Sequence, residues 1–108
     1  MVGRVRLVVV HGPSMVPTLR HGDRLLVRLG GLRRTPAVGR IVLVRLPDRP
    51  LSIKRLVAVE AGGSIRVEGD NPYASTDSRD LGDLPADRIV GVALARLWPH
   101  PRLFTNVC

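Results

Sequence analysis

The sequence predicts an all-β domain of short strands joined by turns, and three observations carry that expectation. Apolar residues make up 44% of the chain and are mainly Val, Leu and Ile, a mix that suits half-buried strands better than a helical bundle. Glycine and proline are frequent, 11 and 9 in 108 residues, and both punctuate regular structure. The apolar residues fall into short runs bounded by Gly, Pro, Asp and Ser. At 108 residues the chain is the size of one domain with one modest core. That domain is expected to span 1–108, with its core at about 5–98 and a fraying tail at 99–108.

The elements follow in order. Val5-Arg6-Leu7-Val8-Val9-Val10 reads as a first strand from its β-branched content. Gly12 to Leu19 is too short and proline-rich for a helix. Its prolines, Pro13 and Pro17, predict an extended, poorly hydrogen-bonded segment that presents Ser14. Arg20-His21-Gly22-Asp23 is a turn and Arg24 to Arg28 a short strand. Leu29 to Gly39 reads as a loop, Arg40 to Leu46 as a buried strand ended by Pro47-Asp48-Arg49-Pro50. Leu51 to Glu60 and Ser64 to Glu68 form a hairpin across Ala61-Gly62-Gly63. Gly69 to Arg88 has no sustained periodicity and reads as a long loop, functional or disordered. Ile89 to Leu97 is the last strand.

Charge and composition exclude several classes. The formal charge of +8 comes from sixteen arginines and a single lysine. A basic chain can meet nucleic acid, an anionic membrane surface or an acidic partner. Here the arginines are scattered, with only Arg33 and Arg34 adjacent, as on a solvated basic surface. One Phe, one Tyr and one Trp leave no stacking platform for single strands, so no nucleic acid is expected. Weak contact with a membrane surface remains compatible with the charge. Cys108 is the only cysteine, which rules out an internal disulfide. His11, His21 and His100 lack metal-ligand spacing, and no metal or other cofactor is expected. The apolar run Leu7 to Val10 is far short of the roughly 20 residues of a membrane span, and no signal-peptide core precedes it. The sequence therefore predicts a soluble, cytoplasmic protein.

Three places carry chemistry. Ser14 is a weak nucleophile unless a base activates it. Lys54 stands alone where arginine is otherwise the habit, and only lysine can lose its proton at usable pH. On a strand it shares a face with Leu56 and Ala58 and is flanked by Ile53. Burial there lowers its basicity toward that of a general base; on an edge strand it snorkels to water instead. Gly69 to Arg79 holds Asp70, Asn71, Ser75, Asp77, Ser78 and Arg79. That stretch reads either as a self-capped surface loop or as a rigid support for a hydroxyl against the base. It lacks the glycine and glutamate of an EF-hand.

Together these stretches resemble the signal peptidase I family of serine–lysine peptidases. The first is Gly12-Pro13-Ser14-Met15-Val16-Pro17-Thr18-Leu19 running into Gly22-Asp23-Arg24-Leu25-Leu26-Val27. The second is Ile53-Lys54-Arg55-Leu56-Val57-Ala58; the third is Gly69-Asp70-Asn71 with Ser75 and Asp77-Ser78-Arg79. The resemblance runs from about Val10 to Leu97 and implies a small coiled β-sheet, a partly open barrel of the signal peptidase/LexA-like type. It implies Ser14 as nucleophile, Lys54 as neutral base and Ser75 as the hydroxyl that orients the lysine. Asp77 and Arg79 would brace the site, with Asp70 and Asn71 in the same supporting loop. The Ser14 N–H would be one oxyanion donor. Some members place a second on a serine two residues before the nucleophile, where this chain has Gly12. Against typical members, the sequence is expected to represent a form without the N-terminal anchor and the large inserted β-domain. Its motifs look close to the short, anchorless maturation proteases of nickel superoxide dismutase.

The expected function is a serine endopeptidase that removes an N-terminal leader or propeptide from a precursor bound in extended form, with nickel superoxide dismutase as one such precursor. Met15 and Ile53 are candidates for lining its substrate pocket. Two other classes stand beside it. A self-cleaving LexA-like regulator needs its own scissile bond, but no Ala-Gly pair precedes Ser14, and Ala61-Gly62 lies in a turn. A non-enzymatic nucleic-acid-binding β-domain has charge as its only support.

Overall fold

The computed structural model describes residues 4–30 and 35–104. Seven strands form one open antiparallel sheet: β1 (Arg4–Val9), β2 (Arg24–Leu29), β3 (Ile41–Arg45), β4 (Leu51–Val59), β5 (Ile65–Glu68), β6 (Ile89–Trp98) and β7 (Arg102–Leu103). The strand order is β1-β2-β6-β3-β4-β5, with β7 beside β6. The all-β expectation holds. Residues 31–34 of the expected Leu29–Gly39 loop lie outside the described residues.

The sheet coils enough to bury β3 on both faces. Ile41 and Leu43 join one apolar cluster with Val10, Met15, Leu19, Leu25, Val27, Ile53 and Ala93. Val42 and Val44 join a second with Leu46, Leu56, Ile65, Val67, Leu84 and Ile89. A continuous Ile-Val-Leu-Val run is what a strand buried on two sides requires. Lys54 pairs with Val42 across β3 and β4, while Ile53 pairs with Leu43. The expected Lys54–Leu56–Ala58 alternation is interrupted by a register shift between Leu56 and Ala58 where β4 turns to β5.

Three segments differ from the sequence expectation. Gly12 to Leu19 is turned, not extended: the Val16 N–H donates to the Pro13 carbonyl at 3.1 Å and the Leu19 N–H to the Met15 carbonyl at 2.9 Å. The fixed φ of proline suits a turn as well as an extended chain. Packing decides, because Met15 and Leu19, 1% and 0% exposed, must enter the same core. The Gly69–Arg88 loop contains a short helix, α1 (Ser78–Leu81), and a 3-10 turn at Ala86–Arg88. Asp77 caps α1, and the Asp80 side chain accepts from the Asp77 N–H in return. The expected tail contains a strand: β7 pairs with β6, and the Phe104 N–H donates to the Leu94 carbonyl at 2.9 Å. Residues 105–108 lie outside the described residues.

Candidate active site

Ser14 sits in the loop that joins β1 to β2. The loop is closed at its base by Val10 N–H to the Asp23 carbonyl and Gly22 N–H to the Val10 carbonyl, both 2.8 Å. Gly12 N–H donates to His21 Nδ1 at 3.0 Å. Met15 and Leu19 anchor the loop in the core, so Ser14 is carried on a fixed support rather than a free loop.

Lys54 lies in β4 and is 4% exposed. Its Nζ donates to Ser75 Oγ at 2.9 Å, and Ser75 Oγ donates to Asp77 Oδ2 at 2.6 Å. Asp77 is fully buried and takes four further hydrogen bonds, from the N–H of Gly69 and Arg79 and from Arg79 Nε and Nη2. The lysine is therefore held by a hydroxyl whose own direction is set by a fully committed carboxylate. Burial pushes Lys54 below its ordinary value of 10.5; Asp77 opposes this, and Arg79 and Arg49 add to it. For Asp77, burial favours the neutral acid. Hydrogen bonds from Arg79, Ser75 and the Gly69 N–H outweigh it and hold the carboxyl well below the usual carboxylate range.

The backbone brings Ser14 to the same place. Its carbonyl accepts the Asn71 N–H at 2.9 Å, and Asn71 Nδ2 donates to the Pro13 carbonyl at 3.2 Å. Asp70 accepts from Arg55 Nε and Nη2 at 2.9 and 2.7 Å and from the Thr18 hydroxyl at 2.5 Å. Burial raises Asp70, but the Arg55 and Thr18 hydrogen bonds prevail and its pKa is lowered. Gly69 allows the close approach of these parts. A methyl there would lie 2.5 Å from the Ser14 carbonyl oxygen and would collide with Ser75 Oγ.

Ser14 and Lys54 line one cleft of about 660 Å³ between β1 and the Arg49–Lys54 segment. Met15 and Ile53 lie in its wall while also belonging to the core. No hydrogen bond joins Ser14 Oγ to Lys54 Nζ among the described residues; such bonds commonly tighten only when substrate is bound. The expected Ser75, Asp77 and Arg79 meet around Lys54, and Asp70 and Asn71 meet the Ser14 loop. Two participants were missed by sequence reasoning. Thr18 and Arg55 stood within the stretches that carry the resemblance but were given no role, because nothing in the sequence ties either to Asp70. No group of three His, Cys, Asp or Glu side chains that could hold a metal occurs among the described residues.

A buried lysine of lowered basicity can act as a proton acceptor, and Lys54 shares the lining of one cleft with the hydroxyl-bearing Ser14. A family model described as Peptidase S24-like matches residues 2–93. The chain belongs to the Peptidase S24-like family. It is 37% identical to the mitochondrial ATP-independent inner membrane protease subunit 1a of Arabidopsis thaliana, over 91% of this chain and 73% of that protein. It is 31% identical to mitochondrial inner membrane protease subunit 1 of Schizosaccharomyces pombe, over 89% of this chain and 75% of that protein. The human protein of the same name is 30% identical, over 86% and 69%. The S24-like match and these relatives support a peptidase. They also correct the expected cytoplasmic location: the relatives are named for a mitochondrial inner membrane, which points to a membrane rather than the cytoplasm. Among the described residues no helix is long and apolar enough to cross a membrane.

Proposed function

We propose that this chain is a serine endopeptidase of the signal peptidase I type, working through Ser14 and Lys54 to remove an N-terminal leader or propeptide from a precursor protein. The observation that carries the reading is the environment of Lys54. It is the single lysine of the chain, buried and lowered in basicity, tethered to Ser75, and in the wall of the cleft that Ser14 lines.

The substrate lies extended against β1, which among the described residues stands at the edge of the sheet with its outer side unpaired. Neutral Lys54 accepts the Ser14 Oγ proton as Oγ attacks the scissile carbonyl carbon. The Ser14 N–H donates to the oxyanion that forms. Collapse breaks the C–N bond, and the leaving amine takes the proton from Lys54. Lys54 then removes a proton from water as that water attacks the ester. The second collapse returns the proton to Ser14 Oγ and releases the leader with its new carboxylate. Ser75, Asp77 and Arg79 hold the lysine; Asp70 and Asn71 hold the serine loop. Met15 and Ile53 shape the floor against which a substrate side chain packs.

The precursor of a nickel superoxide dismutase is the substrate to try first, on the strength of the motif resemblance. The relatives' names add the proposal that the chain acts at a membrane surface, where a charge of +8 favours contact with anionic lipid. The test is N-terminal sequencing of candidate precursors incubated with the purified chain. Ser14→Ala and Lys54→Arg should each abolish the new N-terminus while circular dichroism keeps the β-sheet signal. Normal turnover by either variant overturns the proposal.

A further inference from the structure

A second pocket, of about 200 Å³, shares no residue with the Ser14 cleft. Thr18, Arg40, Arg55 and Arg102 form its polar wall, and Leu103 and Phe104 close it on the apolar side. It exists because β7 docks on β6 beside the start of β3. The walls are held by backbone bonds: Gly39 N–H to the Leu56 carbonyl at 2.7 Å, Leu56 N–H to the Arg40 carbonyl at 2.9 Å, and Phe104 N–H to the Leu94 carbonyl at 2.9 Å. A binding site built on fixed walls loses little entropy when it is filled.

Three guanidiniums line this small space, and one carboxylate serves them. Arg55 is spent: it forks onto Asp70 and gives Nη1 to the Gly39 carbonyl at 2.8 Å. The Arg40 side chain has, among the described residues, only the Ala93 carbonyl, 3.3 Å from Nη2, and its buried Nε has no partner there. Among the described residues neither Arg40 nor Arg102 makes an ion pair. Two positive charges, the half-buried Arg40 and the exposed Arg102, therefore line one pocket without an ion-pair partner among the described residues, and like charges that share a pocket repel. Guanidinium N–H forks match the oxygens of phosphate, and a dianion balances two cations. The volume admits such an ion with several waters, each of which takes about 30 Å³.

We propose that this pocket binds a phosphate group between Arg40 and Arg102. The proposal does not rest on the peptidase reading. The phosphate comes either from free anion or from a phospholipid headgroup, and the experiment separates the two. Thermal unfolding is followed in inorganic phosphate against chloride at equal ionic strength. The wild-type midpoint should rise saturably by several degrees. Arg102→Gln and Arg40→Gln should each remove most of that rise. Arg45→Gln, an equal charge change at an exposed site on β3, should retain it. If Arg40→Gln does not fold, the exposed Arg102 carries the test alone. Co-sedimentation with phosphatidylcholine vesicles, with and without phosphatidic acid, supplies the second arm. Loss of phosphatidic acid binding in Arg102→Gln but not Arg45→Gln assigns a headgroup, while a phosphate-only effect assigns the free anion. The pocket is refuted if phosphate stabilises no more than chloride and no vesicle binding depends on Arg102, or if Arg45→Gln loses as much as Arg102→Gln.

Discussion

Replacing Ser75 with alanine isolates what one hydroxyl does for Lys54. The change removes the acceptor 2.9 Å from Nζ and the donor 2.6 Å from Asp77. Asp77 keeps its other four hydrogen bonds, so the loss falls on the lysine. Lys54 Nζ has no other hydrogen bond among the described residues, and the residue is 4% exposed. A hydrogen bond to a charged group is worth about 1.5–3 kcal/mol. If that energy positions Nζ in the transition state, kcat should fall by about 10- to 150-fold. KM should change little, because Ser75 is not among the residues lining the cleft. The ammonium also loses its acceptor, so the lysine should become less basic still and the acid limb of the rate profile should move to lower pH. The assay is steady-state hydrolysis of an internally quenched peptide spanning the cleavage site found by N-terminal sequencing. Ser75→Thr, which keeps the hydroxyl, should recover most of the rate. Wild-type kcat with an unmoved acid limb in Ser75→Ala would refute the positioning argument.

Two further outcomes are expected. Lys54→Met should abolish cleavage yet raise stability at neutral pH by about 1–3 kcal/mol, the usual cost of a buried polar group with incomplete compensation. Because the folded pKa lies below 10.5, the unfolded chain binds the extra proton in the window between the two values. The wild-type penalty is complete below the folded value and gone above 10.5, so the gain seen by thermal unfolding should shrink as pH rises through that window. Gly69→Ala should lower both stability and kcat, because the added methyl meets the Ser14 carbonyl and Ser75 Oγ together. Unchanged unfolding and rate in that variant would contradict the close packing.

The strands were legible because their signals are local. Val42, Leu43 and Val44 make a continuous apolar run whichever way the sheet coils, and Gly62 and Gly63 mark the β4–β5 hairpin. What escaped depends on partners distant in sequence. The turned Gly12–Leu19 segment follows from Met15 and Leu19 entering a core made by other strands. β7 is two residues long and exists only because β6 offers an open edge. α1 had a local sign, Asp77 with Asp80 three residues on, but the expected loop character of the stretch hid it. Around the site, Ser75, Asp77 and Arg79 could be grouped from the sequence because they are close neighbours in the chain. The Arg55–Asp70–Thr18 bonds span 15 and 52 residues; each residue stood in one of the three stretches, but nothing local showed that they meet.

The single lysine makes the central claim directly measurable. Protein labelled with 13C at lysine Cε gives one side-chain resonance, that of Lys54, since no other lysine is present. Its chemical shift against pH reports the protonation of Nζ without any substrate. A midpoint clearly below 10.5, matching the acid limb of peptidase activity, is the predicted result. A midpoint at or above 10.5 would leave Lys54 a permanent ammonium near neutral pH and would contradict its role as the base for Ser14.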